Sequence, residues 1–201
     1  QLVSSSFDRT VLPNGLRILT STFRHTNAVS IIFLFGAGSR YETPGLAGAS
    51  HLFEHLLFKG TQKRPTPRQI SEVVEGVGGS INAFTDREVT GYWCRLAQPH
   101  YRSGIDLLSD MAINSLFRED DIAKEKQVVY EEIRASFDSP AARTSMLLDG
   151  LLWPDQPMGR DIAGSVESVG AISRDEMLGY LETQYVASNT VIAVAGNIEH
   201  G

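Results

Sequence analysis

Short runs with strand-like apolar patterning stand near both ends of the chain, and apolar residues recur at helical spacing over much of what lies between. Val11-Leu12-Pro13-Asn14-Gly15-Leu16-Arg17-Ile18-Leu19 reads as two strands joined at Asn-Gly, the strongest short hairpin signal. Val29 to Phe35 follows as a mostly buried strand and ends in Gly36-Ala37-Gly38-Ser39. A helical run extends from about Gly45 to Phe58, with Leu46, Leu52, Phe53, Leu56 and Leu57 on its apolar side. Thr66-Pro67-Arg68-Gln69 supplies a capping hydroxyl, a first-turn proline and a glutamine at the third position, opening a helix to about Glu75 that Gly76, Gly78 and Gly79 stop.

Ser80 to Asp86 and Thr90 to Leu96 then read as strands around a charged turn, and Pro99 starts a helix striped by Tyr101, Ile105, Leu108 and Met111. The segment from Asp120 to Arg134 has helical period, with Ile122, Val129 and Ile133 on one stripe. Ser139-Pro140 opens a further helix through Leu152, where Met146, Leu147 and Leu151 are the expected core residues. Ser173 to Glu176 is a capping box, and Thr190 to Ala195 a final buried strand. Early hairpin strands with helices inserted later predict an α+β layer fold.

Within the helix around residue 50, His51 and His55 lie four apart, so both rings leave the same face and can bind one ion. Glu54 lies roughly 60° round the helix, within reach of a water on that ion. The arrangement calls for zinc with a general base. Catalytic zinc commonly takes a third protein ligand, and the segment from Asp120 offers one. With Ile122 as reference, Glu125 and Glu132 fall at roughly 300° and 280°, at the edge of the apolar stripe, whereas Glu131 falls near 180° and is expected in solvent. Two carboxylates beside an apolar stripe need a cation or a proton.

His51-x-x-Glu54-His55, with Glu132 standing 77 positions beyond His55 and Glu125 before it, resembles the pitrilysin-like or insulinase-type inverted zincins. Within that family the chain is most similar to the mitochondrial processing peptidase and its bacterial relatives. Leu12-Pro13-Asn14-Gly15, Gly38-Ser39-Arg40-Tyr41-Glu42, Phe58-Lys59-Gly60-Thr61, Gly78 to Ala83, Gly159-Arg160 and Val194-Ala195-Gly196-Asn197 extend the likeness over nearly the whole chain. The resemblance implies one Zn2+ ion held by His51, His55 and Glu132, with Glu54 as the base that activates water and Glu125 as a supporting carboxylate. It implies a mixed, largely antiparallel sheet with helices packed on one face, and hydrolysis of extended or unfolded peptides. It also implies that the peptide adds as a strand at the edge formed by Gly79 to Phe84, where Asn82 and Ala83 would touch it. Phe58, one turn beyond His55 and near the metal side of its helix, is the expected wall for a substrate side chain.

In that family a second, homologous domain faces the zinc domain and supplies an arginine and a tyrosine to the peptide. Residues 1–201 show no internal repeat and suffice for a single zinc-binding domain, so the second half is expected as a continuation, a separate subunit or a second copy. The half-domain should then expose an apolar patch. The alternative reading, a non-catalytic structural or partner subunit of the same family, would normally show a broken metal set, and here the set is intact. A regulatory zinc site would want a fourth protein ligand, which is not evident.

A hydrophobic share of 42% is ample for one core, and the net charge of −6, from 18 basic and 24 acidic residues, comes with no basic block suited to nucleic acid. Cys94 is the only cysteine, so no internal disulfide forms, and its apolar strand setting argues against catalysis. The run Gly36-Ala37-Gly38-Ser39 lacks the third glycine of a dinucleotide loop, since Tyr41 stands there. His25, His100 and His200 lack ligand context and are read as surface residues. No stretch approaches a membrane span and no signal peptide is visible. The expectation is a soluble, cytoplasmic protein, with the mitochondrial matrix and periplasm left open and with removal of a leader before Gln1 undecided.

Overall fold

The computed structural model describes residues 7–200. Its frame is one six-stranded sheet of order β1-β2-β6-β3-β5-β4. Strands β1 (Asp8–Val11) and β2 (Arg17–Thr22) form the expected antiparallel hairpin. The turn closes where the Leu12 N–H donates to the Leu16 carbonyl at 2.9 Å, with Gly15 at φ 87°, a left-handed value that glycine adopts without steric cost. The last strand, β6 (Thr190–Gly196), inserts between β2 and β3 (Ala28–Phe35), parallel to the former and antiparallel to the latter. Beyond β3 come β5 (Thr90–Ala97) and then β4 (Ser80–Thr85), both antiparallel, which leaves β4 at the edge.

Side chains along β3 alternate: Val29, Ile31, Phe33 and Phe35 are buried, while Ser30, Ile32 and Leu34 are only half-buried. The expectation of a mostly buried strand is corrected here, because helices cover one face of the sheet only. On that face pack α1 (Ala49–Leu56), α2 (Pro67–Glu75), α3 (Tyr101–Asn114), α4 (Glu119–Asp138), α6 (Val166–Ala171) and α7 (Arg174–Gln184). Leu52, Phe53, Leu108, Met111, Val129 and Met177 are among the residues that close the core with Tyr92, Cys94 and Leu96 of β5. The opposite face holds a shallow apolar groove of about 430 Å³, lined by Leu19, Ile32, Trp93 and Ala193 among others.

Helix α1, which carries the paired histidines, is shorter than its apolar pattern suggests, spanning Ala49–Leu56 rather than about 45–58. Pro44–Leu46 forms a separate 3-10 turn, and Gly48 stands at φ 94° between the two, a conformation that interrupts a right-handed helix. At the far end the Leu57 N–H still reaches the Phe53 carbonyl at 3.1 Å, but Phe58 already belongs to the turn beyond. Helix α2 carries the foreseen capping box, with Thr66 and Gln69 exchanging bonds, and α7 carries one between Ser173 and Glu176. The short helix α6 was not anticipated from the sequence.

Helix α5 (Pro140–Leu152) forms where expected, yet it buries none of its residues. Met146 is half-buried, and Leu147 and Leu151 are 55% and 80% exposed, so their assignment to the core is corrected. The helix is tethered by polar means instead, through the ion pair of Asp149 with Arg87 in the β4–β5 turn. Its leucines therefore point away from this domain. Among the described residues no helix is long and apolar enough to cross a membrane.

Candidate metal centre

Helix α1 carries His51, Glu54 and His55 because its other side, Leu52, Phe53 and Leu56, is fully buried against the sheet and α7. Its start is fixed by a carboxylate from upstream rather than by a capping hydroxyl. Glu42 is 3% exposed, and its two oxygens accept the Gly48 N–H at 2.8 Å and the Ser50 N–H at 2.7 Å. Negative charge at a helix N-terminus meets unpaired donors and the positive end of the helix dipole. Burial nonetheless pushes the Glu42 carboxyl above its ordinary pKa, against the two backbone donors. The Arg160 guanidinium further holds this segment by donating to the Ser39 and Glu42 carbonyls. Thr85 Oγ1, at the end of edge strand β4, donates to the Ser50 carbonyl at 3.4 Å and so links strand to helix.

The rings of His51 and His55 sit edge to face with centroids 4.9 Å apart. Both Nε2 atoms lie 3.5 Å from one oxygen, Glu132 Oε2 on α4. That is long for a hydrogen bond. It does match the edge, roughly 3.4 Å, of a tetrahedron of nitrogen and oxygen donors around zinc. The three ligand atoms fall within 4.8 Å of one another, so His51, His55 and Glu132 are able to hold one metal ion. Burial first, then the neighbouring His55, lowers the pKa of His51, which favours the neutral imidazole that metals bind.

Glu125, one oxygen of which stands 3.1 Å from His55 Nδ1, is buried at 7% exposure, whereas Glu132 is 46% exposed at its side chain. Helical phase had placed the two alike. An ionised carboxylate can only accept, so His55 Nδ1 is the donor to Glu125 and Nε2 is the nitrogen on the Glu132 side. The corresponding Nδ1 of His51 is buried without a hydrogen-bond partner among the described residues. Glu131 is solvated, as expected, and pairs with Arg134. Burial and His55 lower the His51 pKa, and Glu132 and Glu54 offset this only in part; burial first, and then among other charges Glu54, pushes up the hydroxyls of Tyr92 and Tyr185, which lie 3.2 Å from each other. Glu54 is thus within electrostatic reach of the site without joining the ligand group.

Asn82 and Ala83 lie on edge strand β4, where the Asn82 side-chain oxygen accepts the Ala83 N–H at 2.8 Å. Phe58 is half-buried, its ring tilted against Tyr92. Two residues that the sequence did not single out, Glu42 and Lys59, bear directly on the site. Each stood inside a quoted motif, and the only local hint was for Lys59, four positions beyond His55. Of the remaining histidines, His25 and His100 are exposed. His200 instead bridges Thr10 and Thr20 at 2.8 Å each, a link between β1 and β2.

A helix with two histidines and a glutamate, facing a glutamate on a second helix over one side of a mixed sheet, defines the class in structural terms. The chain belongs to the insulinase family (peptidase family M16), whose sequence profile matches residues 17–166. It is 36% identical over 198 residues to an uncharacterised zinc protease of Rickettsia bellii, an alignment covering 98% of this chain and 48% of that protein. It is 35% identical over 194 residues to a probable mitochondrial-processing peptidase subunit beta of Arabidopsis thaliana, covering 95% of this chain and 36% of that one. A protease of Helicobacter pylori shares the fold at a TM-score of 0.92 and 23% identity, over 97% of this chain and 47% of that one. The chain therefore spans about half the length of the relatives it matches, or less.

Proposed function

We propose that this chain is the metal-bearing half of a zinc-dependent endopeptidase acting on extended or unfolded peptides. The observation that carries the reading is the convergence of His51 Nε2 and His55 Nε2, each 3.5 Å from Glu132 Oε2. These three residues would hold the ion, which when bound polarises a scissile carbonyl and lowers the pKa of a water. Glu54 takes the proton of the attacking water and hands it to the leaving amine. Glu125 holds the His55 ring in the orientation and tautomer that present Nε2.

The peptide adds as a strand along β4, an edge with unpaired backbone groups tied to α1 through Thr85. A peptide arriving at Ala83 takes over the N–H that Asn82 now occupies and frees the Asn82 carboxamide for its own contact. Phe58 offers its exposed part as a wall for one peptide side chain. A homologous second half, as continuation, subunit or second copy, completes the chamber. The length of the relatives and the outward leucines of α5 both support it.

The test is Glu54→Gln, assayed on an unstructured peptide with the second half present. Turnover should fall by about 10²–10⁴-fold, the usual worth of a positioned base, while zinc stays bound. Near-normal turnover in metal-loaded Glu54→Gln protein would refute the assignment of the base.

A further inference from the structure

We propose that Lys59 is a positioning residue of this centre: its ammonium locks the Glu125 carboxylate where it takes the His55 Nδ1–H, leaving Nε2 as the nitrogen presented to a metal. The inference rests on the zinc-peptidase reading and deepens it. Lys59 lies in the turn after α1, and its Nζ stands 2.7 Å from Glu125 Oε1, while His55 Nδ1 stands 3.1 Å from Oε2. Each oxygen of the carboxylate thus has its own donor. The pair also joins the turn after α1, the helix of the two histidines, to α4, the helix of Glu132.

An exposed lysine pair would carry little weight, because water competes for both partners. Here the acceptor is the opposite case, with the Glu125 side chain 9% exposed and that of Lys59 31% exposed. Removing the ammonium leaves a buried oxygen without its cation. The carboxylate then gains by rotating toward solvent and releases the His55 ring, which is free to carry its proton on either nitrogen. A lysine serving only to tether the turn would instead affect fold stability and leave the histidine tautomer alone.

The experiment compares the wild-type protein with Lys59→Met, Lys59→Arg, Glu125→Gln and the Lys59→Met/Glu125→Gln double variant. Zinc dissociation is measured by competition with a chromophoric chelator, and the His55 tautomer by imidazole 15N shifts in metal-free protein. Lys59→Met should weaken zinc binding about tenfold, the lower end of what outer partners of metal ligands contribute, and convert a single Nδ1–H tautomer into a mixture. Lys59→Arg should restore both, and in the Glu125→Gln background Lys59→Met should add less than about twofold, since coupled partners are not additive. Unchanged affinity and tautomer in Lys59→Met would overturn the proposal. So would equal losses in Lys59→Met and Lys59→Arg with the tautomer intact, which mark a tether. If wild-type protein binds no zinc, the peptidase reading fails, and the tautomer comparison alone decides the role of Lys59.

Discussion

Three acidic residues of α4 show how much a single position decides. Glu125, Glu131 and Glu132 share one helix, yet the first is buried against His55 and Lys59, the second pairs with Arg134 in solvent, and the third faces both imidazoles while half-exposed. Glu132→Ala should therefore reduce zinc affinity by more than the 10–100-fold typical of an outer partner, whereas Glu131→Ala should leave it unchanged. The measurement is metal content after dialysis against a weak chelator, and loss in the Glu131 variant alone would place the ligand one residue away. Cys94 offers a second check. Burial pushes its thiol up to about 12, so the reactive thiolate is scarce at neutral pH. A thiol reagent at pH 8 should find no reactive group in folded protein and one per chain after denaturation.

Between elements, the segment leaving α1 is held by a polar cluster rather than by apolar packing. Asp110 of α3 is 6% exposed and accepts from Thr61 Oγ1 and from Arg64, both at 2.6 Å, and from Asn114 at 3.0 Å. Burial opposes its charge, but the bonds from Thr61, Asn114 and Arg64 prevail and hold its pKa below the ordinary 3.8. A carboxyl whose pKa is depressed by folding contributes stability above its unfolded pKa and loses it as pH falls through the folded value. The Asp110 contribution should accordingly be intact at pH 6, begin to decline near pH 4 and be lost as pH falls further through the folded value. Asp110→Ala should cost about 1–3 kcal/mol at pH 6, since it leaves the buried Thr61 hydroxyl without its acceptor while Arg64 keeps its pair with Asp106, and the difference from wild type should shrink on acidification. Urea midpoints measured from pH 6 to pH 3 check both points, and a cost that stays constant with pH would reject this assignment.

For the molecule as a whole, the contrast between α1 and α5 separates what this domain packs from what it presents outward. Leu52 is fully buried, and Leu52→Ala should cost about 2–5 kcal/mol. Leu151 is 80% exposed, and Leu151→Ala should stay within about 0.5 kcal/mol despite the same chemistry. Thermal unfolding of the two variants tests this, and a large loss at Leu151 would mean that α5 packs inward after all. Together with Leu147, Leu148 and Leu152, Leu151 forms an apolar ridge on a helix that buries nothing of its own. Such a ridge suits a partner half.

Legibility in the sequence followed the range over which each relation acts. The Asn14-Gly15 hairpin, the capping boxes at Thr66 and Ser173, and the shared face of His51 and His55 depend on residues within about one turn of each other. These the chain encoded by itself. The convergence of Glu132 on the histidines was anticipated through resemblance to a family, since helical phase alone left Glu125 and Glu132 equivalent. Tertiary packing separated them, because only the approach of α4 to α1 puts Lys59 and His55 around one carboxylate and sets the other, still partly in solvent, against the two Nε2 atoms. The same holds for β6, whose place between β2 and β3 depends on pairing across more than 150 positions, and for α5, whose leucines look like core in any local window. Apolar periodicity states which face a helix would bury. Whether this chain supplies the surface to bury it against is a property of the assembled fold.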